Sequence, residues 1–319
     1  MRVSLLIPTL DGLPLLDQLL EAVDRQSYRG AVERLAIDSG SRDGTVASLR
    51  RHGFAVEEID RRTFEHGSTR DRGLARATGD LVVLLTQDAV PANERWLAAL
   101  VEAFDDPLVA AAYSRQVPRE DCNPLVADRL RVWSASRAES AVQQLAPARE
   151  LAALAPLERL ARCAYDNVSG CVRRSVWQRF PFGPCRSGED VVFGKRVIEA
   201  GYRIAYCSDS VVVHSHDRPA RDEGRRTYAD HRVLAEHLGI HLLPSLRACW
   251  KSIRRSRVDY RDRLARLDLA PGERRRLSRW ARDYAFWTGI GTYLGGNAAR
   301  LERGWCGALF RRLDRWLHP

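Results

Sequence analysis

The sequence has no run of about eighteen apolar residues, so no transmembrane helix is expected. Its opening stretch, MRVSLLIPTLDG, has a short apolar run and no small-residue cleavage site, so a signal peptide is not expected either. Seven cysteines form an odd set with no C-x-x-C pair, and reduced structural thiols in a cytosolic protein are the expectation. Lysine is nearly absent, with only Lys195 and Lys251, and arginine supplies the other cations. No internal repeat is present. A second acid is absent as well: the apolar run ending in LLTQDAVP closes on a single carboxylate, Asp88, with none two residues before it.

What remains is a globular composition, 45% hydrophobic and 29% charged over 319 residues, which suits one domain with an appendage. The net charge of +10 is unevenly placed. From Leu246 onward there are 18 Lys/Arg against 7 Asp/Glu, whereas residues 1–245 hold 33 against 34. Five of the eight tryptophans, Trp250, Trp280, Trp287, Trp305 and Trp316, lie in that same last quarter. A near-neutral body carries a basic, Trp-rich tail.

Apolar runs at 3–7, 34–38, 55–59, 80–85 and 108–113 predict strands. Helical spacing of Leu15, Leu16, Leu19, Leu20 and Val23 predicts a helix over about 13–25. Further helices are expected up to about Arg51, over 67–77 and over 93–104. This alternation implies an α/β fold with a mostly parallel sheet flanked by helices. Residues 120–160 read as helical. A short strand in NVSGCVRRSVW, a helix at 189–200 and strands at 203–207 and 210–214 follow, then a helical C-terminal extension. The expected division is 1–235 for the α/β domain and 236–319 for the helical, basic region. In such sheets ligands bind beyond the carboxyl ends of the strands, which here carry Pro8–Asp11, Asp38–Asp43 and Thr86–Ala89.

Each polar cluster at that edge has two readings. Asp38-Ser39-Gly40-Ser41-Arg42-Asp43 could accept hydrogen bonds from a base or ribose and open N–H groups toward an anion, or form a turn in which Asp43 or Ser41 caps a helix. Arg70 could pair with a phosphate or lie on a solvated helix face. Asp88 could bind Mg²⁺ or Mn²⁺ or end a strand before Pro91. Glu189-Asp190 could supply a general base or complement a helix dipole. His214 and His216 share one strand face and could be metal contacts or structural.

The order of these pieces is more specific than any one of them. VSLLIPTLDG, IDSGSRDGT, TRDRGLARATGD, LLTQDA, VSGCVRRSVW and GEDVVFGKRVIEAGYRIAY with HSH resemble family 2 glycosyltransferases of the GT-A (Rossmann-like) fold, over residues 1 to about 235. FEHGSTRDRG and LLTQDAVP are similar to the rhamnosyltransferase branch that builds bacterial surface polysaccharides. The resemblance implies an inverting transfer from a nucleotide-diphosphate sugar, dTDP-rhamnose or a UDP-sugar, to a saccharide or lipid-linked acceptor. It implies Asp190 as catalytic base with Glu189 beside it. Pro8, Thr9, Asp11, Asp38, Ser39, Asp43 and Arg70 would bind the donor, and Asp88 with His214 or His216 a divalent metal, Mg²⁺ or Mn²⁺. Two positions depart from the pattern. Thr86-Gln87-Asp88 replaces Asp-x-Asp, so Thr86 or Gln87 must stand in for the first acid by hydrogen bonding, and Asp71 stands where relatives often have Asn.

Arginines interleaved with tryptophans suit a cytoplasmic enzyme peripheral on the inner membrane. The alternative for the tail is a helical subdomain or homodimer interface burying the same rings. A nucleic-acid-binding protein using that tail is the competing class, disfavoured because the basic excess is confined there and no RRM, KH or zinc motif appears. A degenerate nucleotide-sugar-binding scaffold is the third reading.

Overall fold

A computed structural model describes all residues except 132, 133, 147, 148, 186, 305, 306, 318 and 319. Trp305, counted among the tail tryptophans, lies outside the described residues. The contacts divide the chain into two compact units, residues 1–122 with 127–215, and residues 123–126 with 216–319.

The first unit runs β1 Val3–Thr9, α1 Leu15–Asp24, β2 Val32–Asp38, α2 Thr45–Arg51, β3 Ala55–Glu58, α3 His66–Arg76, β4 Leu81–Leu85, β5 Val90–Pro91, α4 Trp96–Glu102 and β6 Val109–Val117. After α5 Pro124–Arg131 come β7 Ala141–Gln143, α6 Pro156–Cys163, β8 Ser169–Arg173, α7 Arg174–Trp177, α8 Glu189–Glu199 and β9 Arg203–Val213. The sheet order is β3-β2-β1-β4-β8-β6-β9-β5, with β7 also on β9. Its centre is apolar on both faces: β4, LVVLL, is buried at every position, and β1 at six of seven. That is the pattern of strands covered on both sides by helices.

The parallel expectation holds for β3, β2, β1 and β4, and again for β6 with β9. Between them β8 is wedged antiparallel to both β4 and β6, and β5 and β7 run antiparallel to β9. The sheet is therefore mixed. The segment 120–160, read as helical, contributes β7. The two strands expected at 203–207 and 210–214 are one strand, β9. Its register against β6 jumps from Ser114–Cys207 to Arg115–Val211, so three residues bulge out. Polar groups fill the kink. Ser114 Oγ lies 2.7 Å from both Ser169 Oγ and Ser210 Oγ, and Trp96 Nε1 donates to Ser169 Oγ at 2.9 Å.

Pro8 does not stop β1. The Ser39 N–H bonds the Thr9 carbonyl at 2.9 Å, so Thr9 faces β2 and Pro8 faces β4, where pairing has already ended at Leu6. The missing N–H breaks no ladder bond. Gly73 of α3 sits against β1 so closely that a Cβ would lie 2.3 Å from the Leu6 side chain. That contact sets the depth of the helix bearing Arg70.

The second unit is helical: α9 Ala220–Leu238, α10 Leu246–Ala265, α11 Pro271–Gly296, α12 Ala298–Arg303 and α13 Gly307–Leu317. Three of its four described tryptophans pack within it. Trp280 stacks on Tyr284 with centroids 4.5 Å apart, and Trp287 meets Trp316, over which Arg221 lies at 4.5 Å. Among the described residues no helix is long and apolar enough to cross a membrane. The six described cysteines are free thiols.

Candidate active site

The strands β1, β2, β4, β6 and β9 all end at one edge, and the polar clusters gather there. The loops after β1 and β2 are sewn together. Asp11 accepts the Arg42 N–H at 2.8 Å, and the Asp11 N–H donates to Ser41 Oγ at 2.8 Å. The Gly12 N–H donates to Thr45 Oγ1 at 2.9 Å, and the Leu13 N–H to Asp43 at 2.9 Å. Asp11 holds φ of 45°, a left-handed conformation uncommon for a residue with a side chain and maintained here by these bonds. Asp43 also accepts the Thr45 N–H at 3.0 Å. Burial pushes its carboxyl up, and the Thr45 and Leu13 donors outweigh that and hold it below the usual range.

Asp38 is fully buried and accepts four hydrogen bonds: from the Gly40 and Ser41 N–H groups at 2.9 and 2.8 Å, and from Thr9 Oγ1 and Ser41 Oγ at 2.8 and 2.5 Å. Ser39 Oγ donates to the Thr9 carbonyl at 2.9 Å. The base or ribose contact expected of Asp38 meets a carboxylate whose lone pairs already shape the turn.

The Thr86-Gln87-Asp88 tripeptide divides its work. The Thr86 N–H and Oγ1 both bond the Val168 carbonyl, at 2.9 and 3.3 Å. Gln87 grips the Leu10 peptide twice: its Oε1 accepts the N–H at 2.8 Å and its Nε2 donates to the carbonyl at 2.9 Å. The hydrogen bonding expected to replace the missing acid therefore joins loops. Asp88 is partly exposed, with Oδ1 3.7 Å from His214 Nε2.

His214 belongs to a chain of polar contacts. Its Nδ1 lies 2.9 Å from Gln116 Oε1, and Gln116 Nε2 donates to Asp166 Oδ2 at 2.6 Å. A carboxylate only accepts, so Asp166 fixes which way the Gln116 amide points. The amide oxygen then faces His214, and Nδ1 must carry the proton. In the neutral ring Nε2 is the basic nitrogen, and it faces Asp88. An oriented imidazole opposite a carboxylate is a mixed nitrogen–oxygen donor set that could hold a divalent cation. His216 follows two residues on, and one ligand atom from each of Asp88, His214 and His216 lies within 4.8 Å of the others.

At the start of α8 the two acids take different roles. Glu189 and Arg70 are each 5% exposed, with Arg70 Nη1 2.9 Å from Glu189 Oε1. Asn167 Nδ2 also donates to Glu189 at 3.1 Å, and Arg70 Nη1 donates to the His66 carbonyl at 3.2 Å. The guanidinium of Arg70, expected to approach the diphosphate, is buried here in an internal ion pair. Burial pushes Glu189 up, but Arg70, His66 and Asn167 together hold it below the usual range. Asp190 is partly exposed and accepts the Val191 N–H at 2.8 Å. Burial, then the charges of Glu189 and Asp166, push its carboxyl well above the ordinary range.

Helix α3 makes this possible. The Gly67 N–H bonds the Cys185 carbonyl at 3.0 Å, and a Cβ on Gly67 would lie 2.0 Å from the Gly183 carbonyl oxygen. Asp71 accepts from Trp177 Nε1 at 2.6 Å and from the Phe182 and Gly183 N–H groups at 3.0 and 2.7 Å. It anchors the segment leading to α8, which gives its departure from Asn a physical role. Gln116, Asp166, Asn167 and His66 are site residues that the sequence reading missed. Asp166 and Asn167 are adjacent and His66 lies within FEHGSTRDRG, but residue type and spacing give none of the four a chemical role.

A curled mixed sheet with a histidine–carboxylate cluster and an acid pair at its carboxyl edge is the architecture of a GT-A glycosyltransferase. The chain belongs to glycosyl transferase family 2, whose profile matches residues 4–151. It is 34% identical over 234 residues to the O-antigen chain rhamnosyltransferase RfbN of Salmonella typhimurium strain LT2, covering 72% of this chain and 71% of that protein. It is 32% identical over 231 residues to WbaN of Salmonella anatum, another O-antigen chain rhamnosyltransferase, covering 70% of each. Among solved structures, S. aureus TarS 1-349 aligns with a TM-score of 0.55 at 15% identity, covering 98% of this chain and 79% of that one. Mycobacterium tuberculosis glucosyl-3-phosphoglycerate synthase with Mn²⁺, UDP and glucosyl-3-phosphoglycerate aligns at 0.53 and 18% identity, covering 75% and 80%. These structural likenesses show the fold.

Two outcomes follow from the geometry. Arg70→Met strands a buried carboxylate and is expected to cost about 3–5 kcal/mol in urea unfolding, most of it recovered in the Arg70→Met/Glu189→Gln double variant. Unchanged stability with weakened donor binding would instead make Arg70 a phosphate ligand. Gln116→Met removes the group that orients His214 and is expected to weaken Mn²⁺ binding roughly 10–100-fold, read by electron paramagnetic resonance of the free ion. Unaltered affinity would mean that Gln116 does not set the ring.

Proposed function

We propose that the chain transfers L-rhamnose, with inversion, from dTDP-rhamnose to a hydroxyl of a saccharide or lipid-linked acceptor in surface-polysaccharide synthesis. A UDP-sugar is the alternative donor. The O-antigen rhamnosyltransferases similar to it support the sugar and the pathway class. The observation that carries the mechanism is the split acid pair: Glu189 ionised against Arg70, and Asp190 beside it with a raised proton affinity.

In this reading Asp190 takes the proton from the acceptor hydroxyl as that oxygen attacks the anomeric carbon. The bond from that carbon to the diphosphate oxygen breaks, and the nucleoside diphosphate leaves with the bonding pair. Asp88, His214 and His216 would hold a Mg²⁺ or Mn²⁺ ion, which supplies positive charge to the diphosphate. The sewn loops bearing Pro8, Thr9, Asp11, Asp38, Ser39, Asp43, Thr86 and Gln87 line the donor side, preorganised before the donor arrives. Work on a lipid-linked acceptor would place the chain at the cytoplasmic face of the inner membrane.

Asp190→Asn is expected to lower turnover on the order of 10²–10⁴-fold while donor binding persists. A base must be ionised, so a raised proton affinity means that activity is lost on acidification at a pH above the ordinary aspartate range. Neutralising the neighbour in the Arg70→Met/Glu189→Gln background should move that acid limb to lower pH. Near-normal turnover in Asp190→Asn, or an acid limb that stays put, rules out this base. For the donor, a thermal-shift panel with Mn²⁺ should show dTDP-rhamnose giving the largest rise among dTDP-rhamnose, UDP-glucose and GDP-mannose. Saturation at 100 times Kd would add about 2.7 kcal/mol, and no rise with dTDP-rhamnose rejects it as donor.

A further inference from the structure

Helix α10 has two unlike faces. Cys249, Ile253 and Leu264 are buried, and Ile253 packs so closely on α11 that a Cβ on Gly289 would lie 2.4 Å from it. The opposite face carries Arg247, Lys251 and Arg254, spaced i, i+4, i+7, with Trp250 between them. These four side chains line an open groove of about 690 Å³. The helix holds seven cations against two acids, Asp259 and Asp262. Among the described residues, none of Arg247, Lys251, Arg254, Arg255 and Arg257 pairs with a carboxylate, whereas Arg261 does.

Charge alone would be an ordinary solvated helix face. The apolar residues beside it are not ordinary. Leu246 and Trp250, at i and i+4 along the border of the basic stripe, are 57 and 48% exposed, and Leu242, 45% exposed, precedes the helix. Trp250 leans on Phe286 with centroids 6.3 Å apart, yet half of its surface remains open. Other described tail tryptophans pack inside the helical unit, so the interfacial signal falls on this one ring.

We propose that this face of α10 is the membrane-docking surface. Its cations would meet the phosphates of anionic lipid headgroups, and Leu242, Leu246 and Trp250 would enter the headgroup–acyl boundary. Lipid fits better than nucleic acid because two of the three exposed apolar groups are aliphatic. They gain by burial in acyl chains and offer nothing to a base stack. The inference rests on the membrane placement proposed above and assigns it to specific side chains.

The test is flotation of the full chain with vesicles of phosphatidylglycerol and phosphatidylcholine, beside phosphatidylcholine alone and a single-stranded RNA. Wild type should float with the anionic vesicles only. The Arg247→Glu/Lys251→Glu/Arg254→Glu variant should lose partitioning on the order of 100-fold. Leu246→Ser/Trp250→Ser should keep a salt-sensitive association and lose the salt-resistant part, while Arg29→Glu in the other unit changes nothing. All three surface variants should retain the wild-type circular dichroism spectrum. If wild type floats and the triple variant floats equally, docking lies elsewhere and only this assignment fails. If wild type stays with the soluble material, the membrane reading fails with it. RNA binding that the triple variant abolishes, without flotation, would make the face a nucleic-acid surface and overturn the proposal.

Discussion

The chemistry at the carboxyl edge depends on one buried ion pair. A guanidinium and a carboxylate, both almost fully enclosed, meet at 2.9 Å between α3 and the first residue of α8. Isolated, either charge would be costly in that environment; paired, each stabilises the other's ionised form. The consequence reaches the next residue. With Glu189 held negative, Asp190 experiences burial and an adjacent charge together, and both raise its proton affinity. Two neighbouring acids are driven apart in acidity by what surrounds them, one held ionised in the ion pair and the other raised in proton affinity.

A second constraint orders the other end of the site. Asp166 orients Gln116, Gln116 orients His214, and His214 faces Asp88. Asp166 is also among the charges that raise Asp190. The metal-type cluster and the acid pair are thus tied through one carboxylate on the segment before β8. That segment is brought to the edge by the antiparallel strand the sheet inserts between β4 and β6. The departure from parallel order positions the residues that join the two halves of the site.

Much of the frame could be read from the sequence, because buried strands write themselves as apolar runs and their ends as polar clusters. β1, β2, β4 and β6 and the helices α3 and α8 fall close to where periodicity places them. The antiparallel direction of β8 could not be read, since a five-residue strand has no directional signature. β9 looked like two strands because its bulge falls on a polar Ser-Asp-Ser step, of which only Asp209 is exposed. At the site, residue types and approximate location were legible, but partners were not. Arg70 near the acidic edge suggested a phosphate, and only the fold shows that Glu189, 119 positions later, reaches it first. Gln116 and Asp166 carry no motif, and their importance exists only through contacts 50 and 98 positions apart in sequence.

The lone acid at the end of β4 then has a structural explanation. Thr86 must donate to the Val168 carbonyl through its hydroxyl, which an ionised aspartate cannot do. Gln87 must both donate to and accept from the Leu10 peptide, which a carboxylate also cannot do. The tripeptide is a junction of three tasks: the first residue holds the loop that carries Asp166 and Asn167, the second holds the loop of Asp11, and the third faces His214. An acid at either earlier position would give up a donor that keeps a neighbouring loop in place, and it would add negative charge beside Asp88. His214 is already oriented toward that carboxylate from the end of β9, so the strand ends on one charge that faces an imidazole nitrogen.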